Sequence, residues 1–197
     1  MRVLLIGGAS NVGKSTVAAI LGARPGWTAM STDRMARHPG RPWPVGGVPV
    51  KPHVAAHYGR LSQGELIRSV LTHYRNMEPL IRSLAAKHTQ GGERLVLEGS
   101  GLLPETMAEL NLPDVSAVWL TTDDATFGAR IRRESNHDAL DAEGRTLVDA
   151  FIGRTLLYNR HMLREAARRG LAVLAVSDDA APAEVAKMVL EAARPLR

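Results

Sequence analysis

The feature that most constrains this 197-residue chain is a strand, a glycine loop and a helix that follow one another directly near its beginning. Residues 3–6 are consecutive apolar residues, as expected for a buried parallel strand. They lead into Gly8-x-x-x-x-Gly13-Lys14-Ser15, the pattern of a phosphate-binding loop. In such a loop, backbone N–H groups and the N-terminus of the next helix surround phosphate oxygens. The segment therefore predicts a site for a nucleoside triphosphate.

The residues of this loop are predicted to bind the nucleotide: Gly8, Ala9, Ser10, Asn11, Val12, Gly13, Lys14, Ser15 and Thr16. Lys14 is long enough to reach the terminal phosphates, and the Ser15 hydroxyl is a ligand for Mg²⁺. The competing interpretation is a glycine-rich turn that ends in Lys-Ser by chance. The matching strand and helix on either side favour the phosphate loop.

Acidic residues close the next two predicted strands. Asp33 follows a strand over residues 27–32, and Glu98 ends a strand over residues 94–98. Groups at the carboxyl ends of parallel strands line the ligand crevice. Asp33 is therefore predicted to meet the substrate, with a helix cap as the alternative. Glu98 is predicted to hold Mg²⁺, through water, or to handle a proton close to the acceptor.

A proline- and glycine-rich segment over residues 38–52 has neither a helical nor a strand period. Together with its surroundings, about residues 34–60, it is predicted to be an acceptor-binding insert, either a mobile flap or a poorly ordered insertion. Arg34, Arg37 and Arg41 are available there to hold an anionic acceptor. The pair His53 and His57 has the spacing of metal ligands on a helix, but without an acidic partner we expect ordinary surface polarity.

The rest of the chain continues to alternate helices and strands. A capping box over residues 62–65 begins a helix that Pro79 is expected to kink or divide. The elements that follow are a strand over 115–121, a helix bearing Arg130 and Arg133, a long helix over 146–169, a strand over 171–176 and a helix from Pro182. The polar stretch 134–145 is predicted to be a surface excursion. This order favours one α/β domain over residues 1–197, with a parallel sheet covered on both faces.

Composition limits the partners and the compartment. The net charge of +5 comes mostly from arginine. We expect these arginines either on solvated helix faces or opposite anionic ligands. The charge does not by itself identify nucleic acid as the partner. No apolar run approaches the ~20 residues of a membrane span. The chain has no cysteine and begins with a strand rather than a leader, so we expect a cytoplasmic protein with no membrane contact, a monomer or a homodimer.

With these motifs the chain resembles the adenylate-kinase-like group of P-loop small-molecule kinases. The sequences of residues 8–15 and of Leu97-Glu98-Gly99 are most similar to those of 2-phosphoglycerate-kinase-like proteins. Shikimate and gluconate kinases, chloramphenicol phosphotransferase and zeta-type toxins share the layout. The resemblance implies a three-layer P-loop NTPase fold with five parallel strands in the order 2-3-1-4-5 and a short lid at about residues 134–145.

The resemblance also implies roles for particular residues. Lys14, Arg130 and Arg133 would neutralise charge on the transferred phosphoryl group, and Asp33 would orient the acceptor hydroxyl. Whether Asp33 or Glu98 is the base stays open. The expected function is phosphoryl transfer from ATP, with Mg²⁺, to a hydroxyl of a small acceptor. The alternatives are a toxin-like or polynucleotide kinase acting on a nucleotide-sugar or a nucleic acid 5′-hydroxyl, and an ATPase switch without an acceptor.

Overall fold

Five parallel strands form the central sheet in the computed structural model, which describes residues 1–36 and 38–196. Their order is 2-3-1-4-5, as the resemblance implies. The strands are β1 (Val3–Gly8), β2 (Trp27–Ser31), β3 (Arg94–Glu98), β4 (Val115–Thr121) and β5 (Val173–Ala175). Every residue of β1 and β4 is buried, which explains why these segments are nearly continuous apolar runs. A two-residue strand that the sequence did not predict, β6 (Arg194–Pro195), pairs antiparallel with β4.

Helices occupy most of the remaining chain. They are α1 (Lys14–Gly22), α2 (Pro52–Arg60), α3 (Gln63–Asn76), α4 (Glu78–Thr89), α5 (Pro104–Met107), α6 (Asp124–Ser135), α7 (Ala142–Arg168) and α8 (Pro182–Ala192). Short 3₁₀ turns cover Thr32–Arg34 and His137–Ala139. The predicted cap of α3 is present as a full capping box, in which Ser62 and Glu65 satisfy each other's backbone N–H groups. Such a cap contributes about 1 kcal/mol.

The strand order decides which face each helix covers. The connection from β1 to β2 runs in one direction across the sheet, and the later connections run in the other. Because such crossovers are almost always right-handed, α1 lies on one face and α2 to α7 lie on the other. Contacts of α1 with α8, and of α7 with α2, α3, α5 and α6, agree with this assignment. The helix-covered sheet predicted from the sequence is confirmed.

Pro79 divides the long predicted helix into α3 and α4, one of the two outcomes expected, because proline fits the first turn of a helix and not its interior. Other element boundaries differ from the predicted ones. The α7 helix begins four residues earlier than predicted, where Asp141 accepts a hydrogen bond from the Gly144 N–H. Only residues 136–141 therefore separate α6 from α7, within the stretch 134–145 that was predicted to be a lid.

Two clusters of buried apolar residues hold the domain together. The larger one lies on both sides of the sheet. The smaller one joins α2, α3, α6 and α7 with the proline-rich segment, through Trp43, Tyr58, Phe151 and their neighbours. The Trp43 ring is almost fully buried and meets the Phe151 ring edge to face, with their centroids 5.0 Å apart. This contact anchors the proline-rich segment on α7.

In the part of the chain that the structure describes, no helix combines the length and the apolar character that crossing a membrane requires.

Candidate active site

The phosphate loop lies between β1 and α1 in a conformation that depends on its glycines. Gly13, the N-cap of α1, has φ 99°, and Gly8 has φ 138°, both in the region that L side chains rarely adopt. A Cβ atom on Gly8 would also lie 2.5 Å from the Leu120 carbonyl oxygen. Asn11, within the loop, has φ 65°. The glycine spacing thus reflects the backbone geometry that aims the N–H groups of α1 into the cleft.

Lys14 is buried at the start of α1, and its Nζ donates to the Ala9 carbonyl oxygen at 2.6 Å. Burial lowers the pKa of the Lys14 ammonium, and the carboxylates of Glu98 and Asp33 oppose that shift, whereas Arg41 adds to it. Ser31, two residues before Asp33, pairs with Glu98 in the parallel register, so the two acidic residues lie at the same end of the sheet. This is the arrangement that the carboxyl-end argument predicts for Asp33 and Glu98.

Ser15 and Glu98 meet beside the loop. The Ser15 hydroxyl donates to the Glu98 Oε1 at 3.0 Å, and Glu98 is almost fully buried. In the parallel register Glu98 lies between Ile6 of β1 and Ser31 of β2, so the sheet fixes its position. A hydroxyl and a carboxylate are the hard oxygen donors that suit Mg²⁺. No cluster of three or more acidic or histidine side chains arranged to hold a metal ion occurs among residues 1–36 and 38–196.

A cleft of about 460 Å³ opens over the loop, and we call it the nucleotide cleft after the ligand that the sequence predicts. This volume is within the range of small-molecule sites. Its lining consists of loop residues and side chains from the proline-rich segment and α6: Asn11, Gly13, Lys14, Ser15, Thr16, Arg41, Arg130, Arg133 and Glu134. Arg41 of the proline-rich segment and two arginines of α6 thus line the same cleft as Lys14.

Carboxylates hold two of these arginines. Arg130 Nε donates to Asp178 at 2.7 Å, and its Nη1 reaches the Asn11 carbonyl oxygen at 3.4 Å. Arg41 pairs with Glu134, which also accepts a hydrogen bond from the Asn11 side-chain amide. A carboxylate therefore lies in the nucleotide cleft between the loop and a cation. Neither Asp178 nor Glu134 was singled out from the sequence.

Asp33 and Arg34, two further residues predicted to bind the acceptor, lie in the turn after β2. Asp33 is exposed in the 3₁₀ turn after β2, where Ser31 supplies the cap and accepts from the Asp33 N–H. Asp33 therefore does not cap that turn itself. Arg34 is exposed at the end of the same turn, and no contact among the described residues joins it to the nucleotide cleft. Arg37 lies outside the described residues.

A second recess lies between the loop and α7. Its lining includes Ser10, Tyr74, Ser100, Arg154 and Tyr158. The Tyr158 hydroxyl donates to the Ser100 carbonyl oxygen at 2.5 Å. Burial raises the pKa of Tyr74 to about 12 and that of Tyr158 well above its usual value, so both are neutral donors at physiological pH.

Arg154 was not predicted from the sequence, although a signal was present. It lies three residues after Phe151 and four before Tyr158, on the apolar face of α7. An arginine at such a helical position faces the interior.

Comparisons with known proteins agree with this fold. No family model matches the chain, and no curated protein matches it. The structure is similar to a shikimate kinase from Aquifex aeolicus, with a TM-score of 0.54 and 14% identity over 96% of this chain and 95% of that one. It is also similar to a gluconokinase from Sinorhizobium meliloti, with a TM-score of 0.52 and 15% identity over 96% and 90% of the two chains.

A third similar structure is a deoxyadenosine kinase from M. mycoides with bound dATP, with a TM-score of 0.52 and 15% identity over 97% of this chain and 98% of that one. These likenesses cover nearly the whole of each chain, so they concern the complete fold and not the phosphate loop alone. The chain has the three-layer α/β fold found in P-loop small-molecule kinases. The fold that the sequence resemblance implied is thereby confirmed.

Proposed function

We propose that the protein is an ATP- and Mg²⁺-dependent phosphotransferase that moves the γ-phosphoryl group to a hydroxyl of a small acceptor. The observation that carries the proposal is the convergence of Lys14, the Ser15–Glu98 pair and the Asp33 carboxylate at one end of the sheet. Phosphoryl transfer depends mainly on positioning and on neutralising charge, and these groups supply both. A small-molecule kinase fold supports the same class of reaction.

Each group has a distinct task in this mechanism. The backbone N–H groups around Gly13 bind the phosphate chain, and Lys14 bridges its terminal part. Ser15 and Glu98 would hold Mg²⁺, which would neutralise part of the phosphate charge when bound. Arg130 and Arg133 line the nucleotide cleft from α6 and stabilise negative charge on the transferred group.

Asp33 orients the acceptor hydroxyl and accepts its proton. It is exposed, it lies near Lys14, and it accepts no ion pair among the described residues, whereas the Glu98 carboxylate is engaged by Ser15. We therefore assign the base to Asp33 and the metal to Glu98. This division follows from which carboxylate is free to meet an incoming hydroxyl.

A labelled-ATP transfer screen over phosphorylated acids, sugars, antibiotics and nucleosides tests the proposal. Asp33→Asn should lower transfer about 10²- to 10⁴-fold and leave ATP affinity unchanged, because only the proton transfer is affected. Glu98→Gln should raise the Mg²⁺ concentration needed for half-maximal rate. Asp114→Asn is the matched control, since Asp114 lies at the opposite end of β4 and its φ of 59° suits asparagine.

Two outcomes would contradict the proposal. One is full transfer by Asp33→Asn, which would remove Asp33 from the mechanism. The other is ATP hydrolysis at an enzyme-like rate with no stimulation by any acceptor in the screen, which would indicate an ATPase.

A further inference from the structure

Arg41 lies in the nucleotide cleft, although its segment was predicted to serve the acceptor. Its side chain lines the cleft together with Lys14, Ser15 and the two arginines of α6. Its guanidinium pairs with Glu134, in the last turn of α6, and lies 5.7 Å from the centroid of the Trp43 ring. The structure therefore groups Arg41 with the residues that surround the phosphate loop.

Trp43 fixes the point from which Arg41 reaches the cleft. The Trp43 side chain is buried against Phe151 of α7, and Arg41 precedes it by two residues. The Arg41 side chain itself is 46% exposed. A long cationic side chain on an anchored backbone can exchange one partner for another while the segment stays in place.

Glu134 occupies an anion site that Arg41 and the phosphate loop form together. Its Oε1 accepts from Arg41, and its Oε2 accepts from the side-chain amide of Asn11. The last turn of a helix is the negative end of its dipole, so α6 itself does not favour a carboxylate there. Because donors that hold two carboxylate oxygens can also hold two phosphoryl oxygens, Glu134 marks a position that a phosphoryl group of a bound nucleotide can take.

The pair between Arg41 and Glu134 is weak enough to be exchanged. Both side chains are partly exposed, and ion pairs of this kind are screened by water and contribute little to stability. A phosphoryl group carries more negative charge than a carboxylate and offers three oxygens to the planar fork of an arginine. During transfer the charge is spread over those three oxygens, so the transferred group is the better partner for Arg41.

We propose that Arg41 is a further catalytic residue, which releases Glu134 and donates to the γ-phosphoryl group during transfer. This rests on the proposed function and adds a residue to the same site. In the transfer, the acceptor oxygen forms a bond to the γ-phosphorus, and its proton goes to Asp33. The bond from that phosphorus to the β–γ bridging oxygen breaks, and its electron pair stays on ADP. Because the contact with the phosphoryl group replaces the contact with Glu134, Arg41 should affect the rate of transfer more than the affinity for ATP.

Binding of a planar phosphoryl mimic tests the proposal without any acceptor. Aluminium fluoride forms such a mimic together with Mg²⁺ and ADP. Calorimetry on the intact protein measures the affinity for ADP with Mg²⁺, first alone and then with aluminium fluoride. Because no acceptor is added, a residue that serves only the acceptor cannot change the result. The variants are compared in a Glu134→Gln background, so that none of them leaves the Glu134 carboxylate unpaired in the cleft.

In that background, Arg41→Gln should weaken the complex with ADP and aluminium fluoride about 10- to 100-fold, because a charge-assisted hydrogen bond to a phosphoryl oxygen is lost. Its affinity for ADP alone should change little. Arg41→Lys should weaken the complex less, since the charge remains without the planar fork. Arg164→Gln is the matched control, because it removes an exposed arginine of α7 and should change neither affinity.

The outcomes distinguish this proposal from the proposed function. If Arg41→Gln weakens the complex only while Glu134 is present, Arg41 merely neutralises Glu134, and its catalytic role is refuted. Equal affinities of Arg41→Gln and Arg164→Gln refute it as well. If ADP binds to the unchanged protein but aluminium fluoride adds no affinity, the role of Arg41 is refuted and the nucleotide site stands. If ADP itself fails to bind, the proposed function fails, and this proposal fails with it.

Discussion

The two sides of the candidate active site are formed by different kinds of groups. On the nucleotide side, one continuous segment supplies backbone N–H groups, Lys14 and Ser15, and the sheet fixes Glu98 beside them. On the other side, which the proposed function assigns to the acceptor and which we call the acceptor side, His38, His57, His73 and Arg154 come from the proline-rich segment, α2, α3 and α7. The smaller apolar cluster holds these elements together. Apart from Glu98, the first is local in sequence, whereas the second exists only after α7 has packed against three earlier segments.

Under the proposed function this difference gives the two sides separate tasks. Backbone N–H groups would recognise a polyphosphate chain, which is the same in every nucleoside triphosphate. Side chains on variable elements would recognise the acceptor, in which substrates differ. Perturbing one side should therefore leave binding on the other side largely intact, and the following variants test that separation.

The largest effect is expected on the nucleotide side. Lys14→Ala should lower the transfer rate about 10²- to 10³-fold, because a charge that stabilises the transition state is removed. The melting temperature should stay the same or rise, since Lys14 is buried at a cost that lowers its pKa. A labelled-ATP assay and thermal unfolding measure both quantities. Lys187→Ala, an exposed lysine of α8, is the control, and transfer at its rate by Lys14→Ala would contradict the assignment.

Trp43→Ala should destabilise the protein by about 3 kcal/mol, because a large buried aromatic ring is lost from the smaller apolar cluster. With the proline-rich segment released, the KM for the acceptor should rise while the affinity for ATP is retained. Denaturant unfolding and steady-state kinetics measure the two effects. An equal loss of ATP affinity would show that the two sides are coupled.

Acid should weaken the acceptor side first. The pKa of His38 is about 4 in the folded protein, against 6.5 in the unfolded chain, so between these values the unfolded state binds more protons. Stability should therefore fall as the pH drops from 6.5 towards 4, by about 1–2 kcal/mol after allowing for partial exposure of the ring. Urea unfolding at intervals across this range measures it. His38→Gln should flatten the dependence, and an unchanged slope in that variant would contradict the assignment.

The smallest effect concerns the carboxylate in the nucleotide cleft. Glu134 pairs with Arg41 and accepts from Asn11, so it opposes an incoming triphosphate by like-charge repulsion. Glu134→Gln should tighten ATP binding about 3- to 10-fold at low salt and less at high salt. Glu143→Gln, an exposed acid in the first turn of α7, is the control. Weaker binding by Glu134→Gln would indicate instead that Glu134 positions Arg41 for the phosphates.

Local patterns were sufficient to predict most of the fold. The β4 strand was predicted with its observed limits, and the cap at Ser62 and the first residue of α8 follow from rules that operate within a few residues. The edge strand β5 was predicted three residues too long, over 171–176 instead of 173–175, and the added β6 was not predicted. Both are short, and their pairing with β4 is a tertiary contact that leaves little periodicity in the sequence.

The sequence by itself determined the phosphate loop and the acidic ends of β2 and β3, because glycine dihedrals, strand burial and helix N-termini are local physical requirements. Only the tertiary structure decided that Arg154 is a buried cation, that three distant histidines meet around it, and that Glu134 enters the nucleotide cleft. Charge and titration depend on what surrounds a side chain in space, and those surroundings come from segments far apart in the chain.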